Sequence, residues 1–309
     1  MAVPKELQHL AWELPHNFLG LDEQASDFAK ARVVLLPVPY ESTTSYGGGT
    51  GAGPAAILEA SRYIELYDQE LDTEPYELGI ATLPALSLTG AGPAEAVAEL
   101  RAAYDALLAT GERFVLTLGG EHSITSAPVL AWADRLAPAR LSVLQIDAHT
   151  DLRLEYEGSE YSHASVMART MDRVNITAVG IRALTRDERE LARRSDSIHI
   201  FFADDIHSGD AWINDVMKTL GDTVYITFDV DGFDPALVPS TGTPEPGGLQ
   251  WYPVMKLLRR VFAERRVVSA DIVELAPIAG LAAPDFLVAK LAYKMIGYLD
   301  ERTRSHPEE

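Results

Sequence analysis

Cysteine is absent from this chain of 309 residues. Disulfides, iron–sulfur clusters and thiolate zinc sites are therefore excluded, while metal centres built from imidazole and carboxylate stay open. Basic residues are scarce as well: 26 Lys and Arg stand against 46 Asp and Glu, a formal net charge of −20. Nucleic acid demands clustered cations along its phosphates, so it is not an expected partner, whereas a small cationic ligand is compatible with the charge. No apolar run approaches the ~20 residues of a membrane span, and the opening "MAVPKELQHLAWELPHNFLG" lacks the apolar core of a secretion signal. A cytoplasmic protein without membrane contact is expected. What the chain does have is 47% hydrophobic residues, enough to bury a full core at this length.

Those residues fall into short runs, at 32–38, 113–118, 141–147, 175–181, 197–202, 223–229 and 266–273. Most lack strict alternation, which predicts strands covered on both faces. Helical patterns lie between them, at 54–67, 93–109, 126–136, 185–195, 210–220, 251–264 and 284–302. That order predicts an α/β fold with a parallel sheet and helices on both sides. No linker or internal repeat interrupts it, so one domain over 1–309 is expected, with residues 1–30 peripheral.

Ligands in such folds gather beyond the carboxyl ends of the strands, and here that edge is loaded. "RFVLTL" is followed by "GGEHS" with His122; "LSVLQI" leads into Asp147, His149 and Asp151; "TVYITF" leads into Asp229 and Asp231. Side chains two apart on an extended chain point the same way, so each group is set to converge. Any one of these residues alone reads as a cap or turn residue. Together, four carboxylates at one edge repel unless cations neutralise them. Four carboxylates and two imidazoles suit a pair of divalent cations, and the oxygen-rich set favours manganese over zinc. Two adjacent metals lower the pKa of water and supply a nucleophile near neutral pH.

Three of these motifs, with others, carry a resemblance. "GGEHS", "DAHTD", "SHAS" and "TFDVDGFDPALVPSTGTPEPGG", together with "PVPYESTTSYGGGTGAGPAAI" and "SADIVELAP", resemble the ureohydrolases, the family of arginases and agmatinases, over about residues 33 to 300. The resemblance implies a three-layer α/β/α sandwich, two Mn2+ per subunit, a small cationic guanidino substrate and a homo-oligomer, trimer or hexamer. It implies that one Mn is held by His122, Asp147, Asp151 and Asp229 and the other by Asp147, His149, Asp229 and Asp231. It further implies His163 of "YSHAS" as the acid/base group, Asp151 and Glu274 as catalytic carboxylates, and Glu274, His163, Thr243 and Arg153 as substrate contacts. Without the neighbouring motifs, His163 is a surface loop histidine and Glu274 a solvated charge; a carboxylate there suits the planar fork of a guanidinium.

Other features carry no site. "YGGGTGAGP" lacks the Lys-Ser/Thr ending of a phosphate loop and reads as a tight approach before a helix at Pro54. "DVDGFDP" breaks the calcium-loop pattern at Gly232 and Phe233. His199 and Asp271 read as structural, and His9, His16, His207 and His306 have no evident partners. Agmatine is the first expected substrate, giving putrescine and urea. Arginase-like members have Asn where this chain has Arg153, which counts against arginine; Arg153 would suit 4-guanidinobutyrate, while Glu155, Glu157 and Glu160 favour the far ammonium of agmatine. A metal hydrolase acting on another bond and a non-catalytic scaffold are the alternatives from other classes.

Overall fold

The computed structural model describes residues 16–305 apart from 208 and 210, so His9 and His306 lie outside the described residues. Eight strands form one sheet in the order β2-β1-β3-β8-β7-β4-β5-β6, and every pairing in it is parallel. They are β1 (Val33–Val38), β2 (Ile80–Thr82), β3 (Phe114–Gly119), β4 (Ser142–Ile146), β5 (Asn175–Ile181), β6 (Ile198–Phe202), β7 (Thr223–Asp229) and β8 (Arg266–Val273). The helices are α1 (Gly53–Ser61), α2 (Pro93–Ala109), α3 (Ser126–Leu136), α4 (Arg186–Arg194), α5 (Ala203–Ile206), α6 (Trp212–Thr219), α7 (Trp251–Glu264) and α8 (Ala283–Ser305).

The three-layer arrangement follows from two apolar faces. Leu116, Leu118, Leu144, Ile146, Ile226 and Phe228 pack with α1, α6, α7 and α8. Their strand neighbours Val115, Val143 and Tyr225 turn to the other side and meet α2, α3 and α4. This is why the strands read as continuous apolar runs: both alternating sets are buried.

Three expectations change. Strand β2 is only three residues long and pairs with β1 through Ile80–Thr82. Helix α1 stops at Ser61 rather than running to 67; Ser61 Oγ donates back to Leu58 O at 2.7 Å and accepts from Leu19 N at 2.9 Å, so its side chain competes with the helix ladder at that end. The described part of the N-terminal segment is not peripheral, because Phe18, Leu19 and Leu21 are buried in the core and Phe18 N donates to Thr82 Oγ1.

The glycine-rich stretch makes the expected close approach. Gly47 N donates to Gly242 O at 3.2 Å, and a Cβ on Gly47 would sit 2.8 Å from that oxygen. Glu41 clasps the same loop by accepting from Gly49 N at 2.7 Å and Gly51 N at 2.8 Å. Segment 43–47 is thereby held over the carboxyl edge of the sheet.

Candidate metal and catalytic site

His122 opens a 3-10 turn directly after β3 and is buried. Gly119 and Gly120 lead into it; a Cβ at Gly120 would sit 2.0 Å from Tyr40 O, so only glycine lets the chain pass there. Asp147 follows β4, and Asp229 ends β7. In each acid one oxygen is pinned by the backbone while another faces the cluster. Asp147 Oδ1 accepts from His149 N at 2.6 Å, Asp229 Oδ1 from Asp231 N at 2.9 Å, and Asp231 Oδ1 from Ala148 N at 3.0 Å. Asp151 and Glu274 take positive φ values of 52° and 67°, a costly conformation for residues with a Cβ that concentrates at functional sites.

The six predicted metal residues converge. His122 Nδ1 lies 2.9 Å from Asp151 Oδ2, 3.3 Å from Asp147 Oδ2 and 3.4 Å from Asp229 Oδ2. His149 Nδ1 lies 3.0 Å from Asp231 Oδ2 and 3.7 Å from Asp147 Oδ1. Two donor groups of metal-binding size result, His122–Asp147–Asp229 and Asp147–His149–Asp231, sharing Asp147.

Whether this set fits metal ions is decided by His122. Its Nε2 is 2.8 Å from Thr227 Oγ1, and Thr227 already donates its hydroxyl to Asp271 Oδ1 at 2.6 Å. Thr227 can therefore only accept, which puts a proton on Nε2; in the neutral imidazole that binds metal, Nδ1 then carries the lone pair, directed at the carboxylates. Nδ1 is buried and makes no hydrogen bond, although three carboxylate oxygens surround it. A lone pair facing anions is unfavourable unless a cation lies among them, so the residues fit.

The electrostatics agree. Burial first, then the charges of Asp231 and Asp147, push Asp229 well above the usual carboxylate range. Burial and Asp147 raise Asp151. Glu274 is pushed up to about 8, chiefly by burial. His149 is pushed up to about 12: burial opposes its protonation, but Asp231 and Asp147 outweigh it. The cluster balances its charge with protons, and divalent cations would do so in their place.

Above the cluster is a cavity of about 280 Å³. His163, Glu274, Thr243 and Arg153, the residues expected to contact substrate, line it. Glu274 Oε1 accepts from His122 N at 2.6 Å, leaving lone pairs on both oxygens for a planar fork. His163 stacks edge-on against Tyr156 with 5.7 Å between ring centroids, and Arg153 lies 4.5 Å over the same ring. Glu155, Glu157 and Glu160 do not line the cavity; Glu160 pairs with Arg169 at 3.0 Å. They do not supply the expected subsite for an ammonium, because their loop turns them outward from the wall that Arg153 and Tyr156 form.

Sequence reasoning missed two acids and a loop. Thr44, Ser45 and Tyr46 line the cavity, as do Glu188 and Glu245. Glu188 is spent on structure, capping α4 through Thr185 and accepting from Thr150 and Leu152. Glu245 is different. Arg182 grips its backbone oxygen at 2.8 Å and Asp231 O at 2.7 Å, and among the described residues its carboxylate has no partner. The two prolines and two glycines around it in "TPEPGG" were the available signal of a shaped turn. His207, which lacked an evident partner in the sequence, bonds Gly247 O at 3.1 Å.

Comparison with known proteins agrees with this geometry. The model of a family described as "Arginase family" matches residues 31–297. An N(1)-aminopropylagmatine ureohydrolase of Synechocystis is 41% identical over 94% of this chain and 96% of its own length. An agmatinase of Pyrococcus horikoshii is 34% identical over 88% of this chain and 93% of its own. The crystal structure of the agmatine ureohydrolase of Thermoplasma volcanium superposes with a TM-score of 0.84 at 28% identity, covering 98% of this chain and all of that one.

Proposed function

Because the chain belongs to the arginase family, we propose that it hydrolyses a linear guanidino amine to urea and the free amine, using a pair of divalent cations, manganese by preference. The observation that carries this reading is His122 Nδ1, buried among three carboxylate oxygens within 2.9 to 3.4 Å at the floor of the cavity that Glu274 and His163 line. His122, Asp147, Asp151 and Asp229 would hold one cation, and Asp147, His149, Asp229 and Asp231 the other. When bound, the two cations supply Lewis acidity that brings the pKa of water toward neutrality.

The remaining work falls to side chains. Glu274 orients the guanidinium, its two oxygens facing two N–H groups of the planar fork. As water adds to the guanidinium carbon, Asp151 accepts its proton. His163 relays that proton to the nitrogen that leaves, and as the C–N bond breaks the hydroxyl proton of the tetrahedral adduct passes to the freed amine, giving urea and an ammonium.

For the substrate, agmatine and its N1-aminopropyl derivative share the guanidine and a cationic tail. The unpartnered Glu245 carboxylate supports a cationic tail in either case, and the name of the 41% identical relative favours the longer compound. The deciding experiment measures urea release, with manganese supplied, from agmatine, N1-aminopropylagmatine, 4-guanidinobutyrate and arginine. The highest kcat/KM is expected for the aminopropyl compound, agmatine next. Urea from none of them would sink the reaction class; 4-guanidinobutyrate in first place would transfer the tail contact to Arg153.

A further inference from the structure

Glu121 is fully buried one residue before His122, and its carboxylate bonds Ser42, Thr43 and Ser123 and none of the six proposed metal ligands. Its Oε2 accepts from Ser42 N and Thr43 N, each at 2.6 Å, and its Oε1 accepts from Thr43 Oγ1 at 2.8 Å and Ser123 Oγ at 2.5 Å. Thr43 in turn reaches the catalytic loop twice. His163 N donates to Thr43 Oγ1 at 3.0 Å, and His163 Nδ1 lies 3.3 Å from the same oxygen.

A hydroxyl has one proton to give and two lone pairs. Thr43 gives its proton to Glu121, because a carboxylate oxygen with four donors around the group can only accept. Both contacts to His163 must then run toward Thr43, so the ring carries its proton on Nδ1 and Nε2 keeps a lone pair. We propose that Glu121 and Thr43 are positioning residues that hold His163 in the Nδ1–H tautomer, making Nε2 the atom that exchanges protons with the substrate. This rests on the reading of His163 as the proton-transfer group, but the tautomer itself does not. The arrangement repeats at the metal floor, where Thr227 links Asp271 to His122 with the opposite nitrogen protonated. In both places a threonine converts a buried carboxylate into a tautomer choice, and the two histidines present different nitrogens to the cavity floor and to its wall.

The same carboxylate ties the histidine to the substrate-side loop. Ser42 and Thr43 lead straight into Thr44, Ser45 and Tyr46, which line the cavity. Glu121 therefore sets His163 and that wall relative to each other.

The test combines nitrogen NMR with kinetics. Protein labelled with 15N-histidine and loaded with zinc, whose filled d shell leaves resonances sharp, gives the His163 signals, assigned by their loss in His163→Asn. Neutral His163 is expected to show a protonated Nδ1 and an unprotonated Nε2. Thr43→Val should mix the tautomers and lower kcat by about 10- to 100-fold, short of the ~10⁴-fold cost of losing an orienting carboxylate outright, with KM and metal content unchanged. Thr43→Ser should restore both readouts. A protonated Nε2 in the unaltered protein would overturn the proposal without any variant. So would Thr43→Val with unchanged tautomer and kcat, or a kcat loss that tracks loss of metal. If no guanidino compound yields urea, the spectra still decide the tautomer while the functional reading fails separately.

Discussion

Thr227 donates its hydroxyl to Asp271 across 2.6 Å. That bond leaves it only lone pairs for His122 Nε2, 2.8 Å away, and so makes Nδ1 the nitrogen that a metal takes from the neutral ring. Thr227→Val preserves the shape of the strand and removes the acceptor. Metal affinity should fall by about 10- to 100-fold, the usual cost of losing such an outer partner. Dialysis against graded chelator, followed by metal analysis, measures it. Retention equal to that of the unaltered protein would mean that Thr227 does not support His122 as a ligand.

Asp147 belongs to both donor groups, whereas Asp231 belongs to one. Asp147→Ala should therefore cost both metals and all turnover, and Asp231→Ala should spare the metal beside His122. Metal-to-protein ratios near zero and near one are the expected results. His163→Ala, by contrast, should keep both metals and lose about 10²- to 10⁴-fold in kcat, the usual contribution of a proton-transfer group. Equal metal content in the two aspartate variants would rule out a shared ligand at Asp147.

Glu245 is fixed in place because one guanidinium, that of Arg182, bonds both its backbone oxygen and that of Asp231. Its backbone thus keeps a constant offset from the metal centre, and its carboxylate stays within side-chain reach of that point. Glu245→Gln should raise KM for guanidino amines by roughly 5- to 30-fold, corresponding to about 1–2 kcal/mol for a partly exposed charge-assisted contact. Butylguanidine, which has no amine, should be unaffected, and that comparison separates tail binding from damage to the site. An equal change for both compounds would remove Glu245 from specificity.

These contacts mark where sequence legibility stops. Strand β7 could be read because Tyr225, Ile226 and Phe228 are buried on alternating faces, and Asp229 and Asp231 because their spacing of two is itself a geometric statement. Strand β2 could not, since "IAT" is too short to show a period and exists only as a partner of Val33–Leu35. Thr43, Thr227 and Glu121 are small or acidic residues of ordinary local pattern. Their roles appear only when the fold brings Thr43 to Glu121 and to His163, or Thr227 to His122, across 78 to 120 positions of chain. Asp271 is structural in the sense expected of it, yet through Thr227 it also reaches the metal floor.

Far from the site, Lys294 on α8 is buried and donates to Asp68 Oδ1 at 2.8 Å and Glu70 Oε2 at 2.7 Å. Asp68 is fully buried, so Lys294→Met strands a carboxylate away from its cation; the expected loss is about 3–5 kcal/mol of stability, the range for removing one partner of a buried pair. Burial alone would raise Glu70, but Lys294, then Tyr298 and Arg259, hold it below its ordinary value. A depressed carboxyl contributes stability that is complete above the unfolded value, ~4.3, and is lost as pH falls through the lower folded value. The gap in urea midpoint between the unaltered protein and Lys294→Met should therefore be widest at neutral pH and shrink below about pH 4. Asp68→Asn in the Lys294→Met background should recover part of the loss, because the stranded charge is gone while the two backbone N–H donors to Oδ1, from Glu70 and Leu71, remain. A gap that stays constant with pH, or a double variant no more stable than the single one, would show that Lys294 acts through packing of its stem and not through its charge.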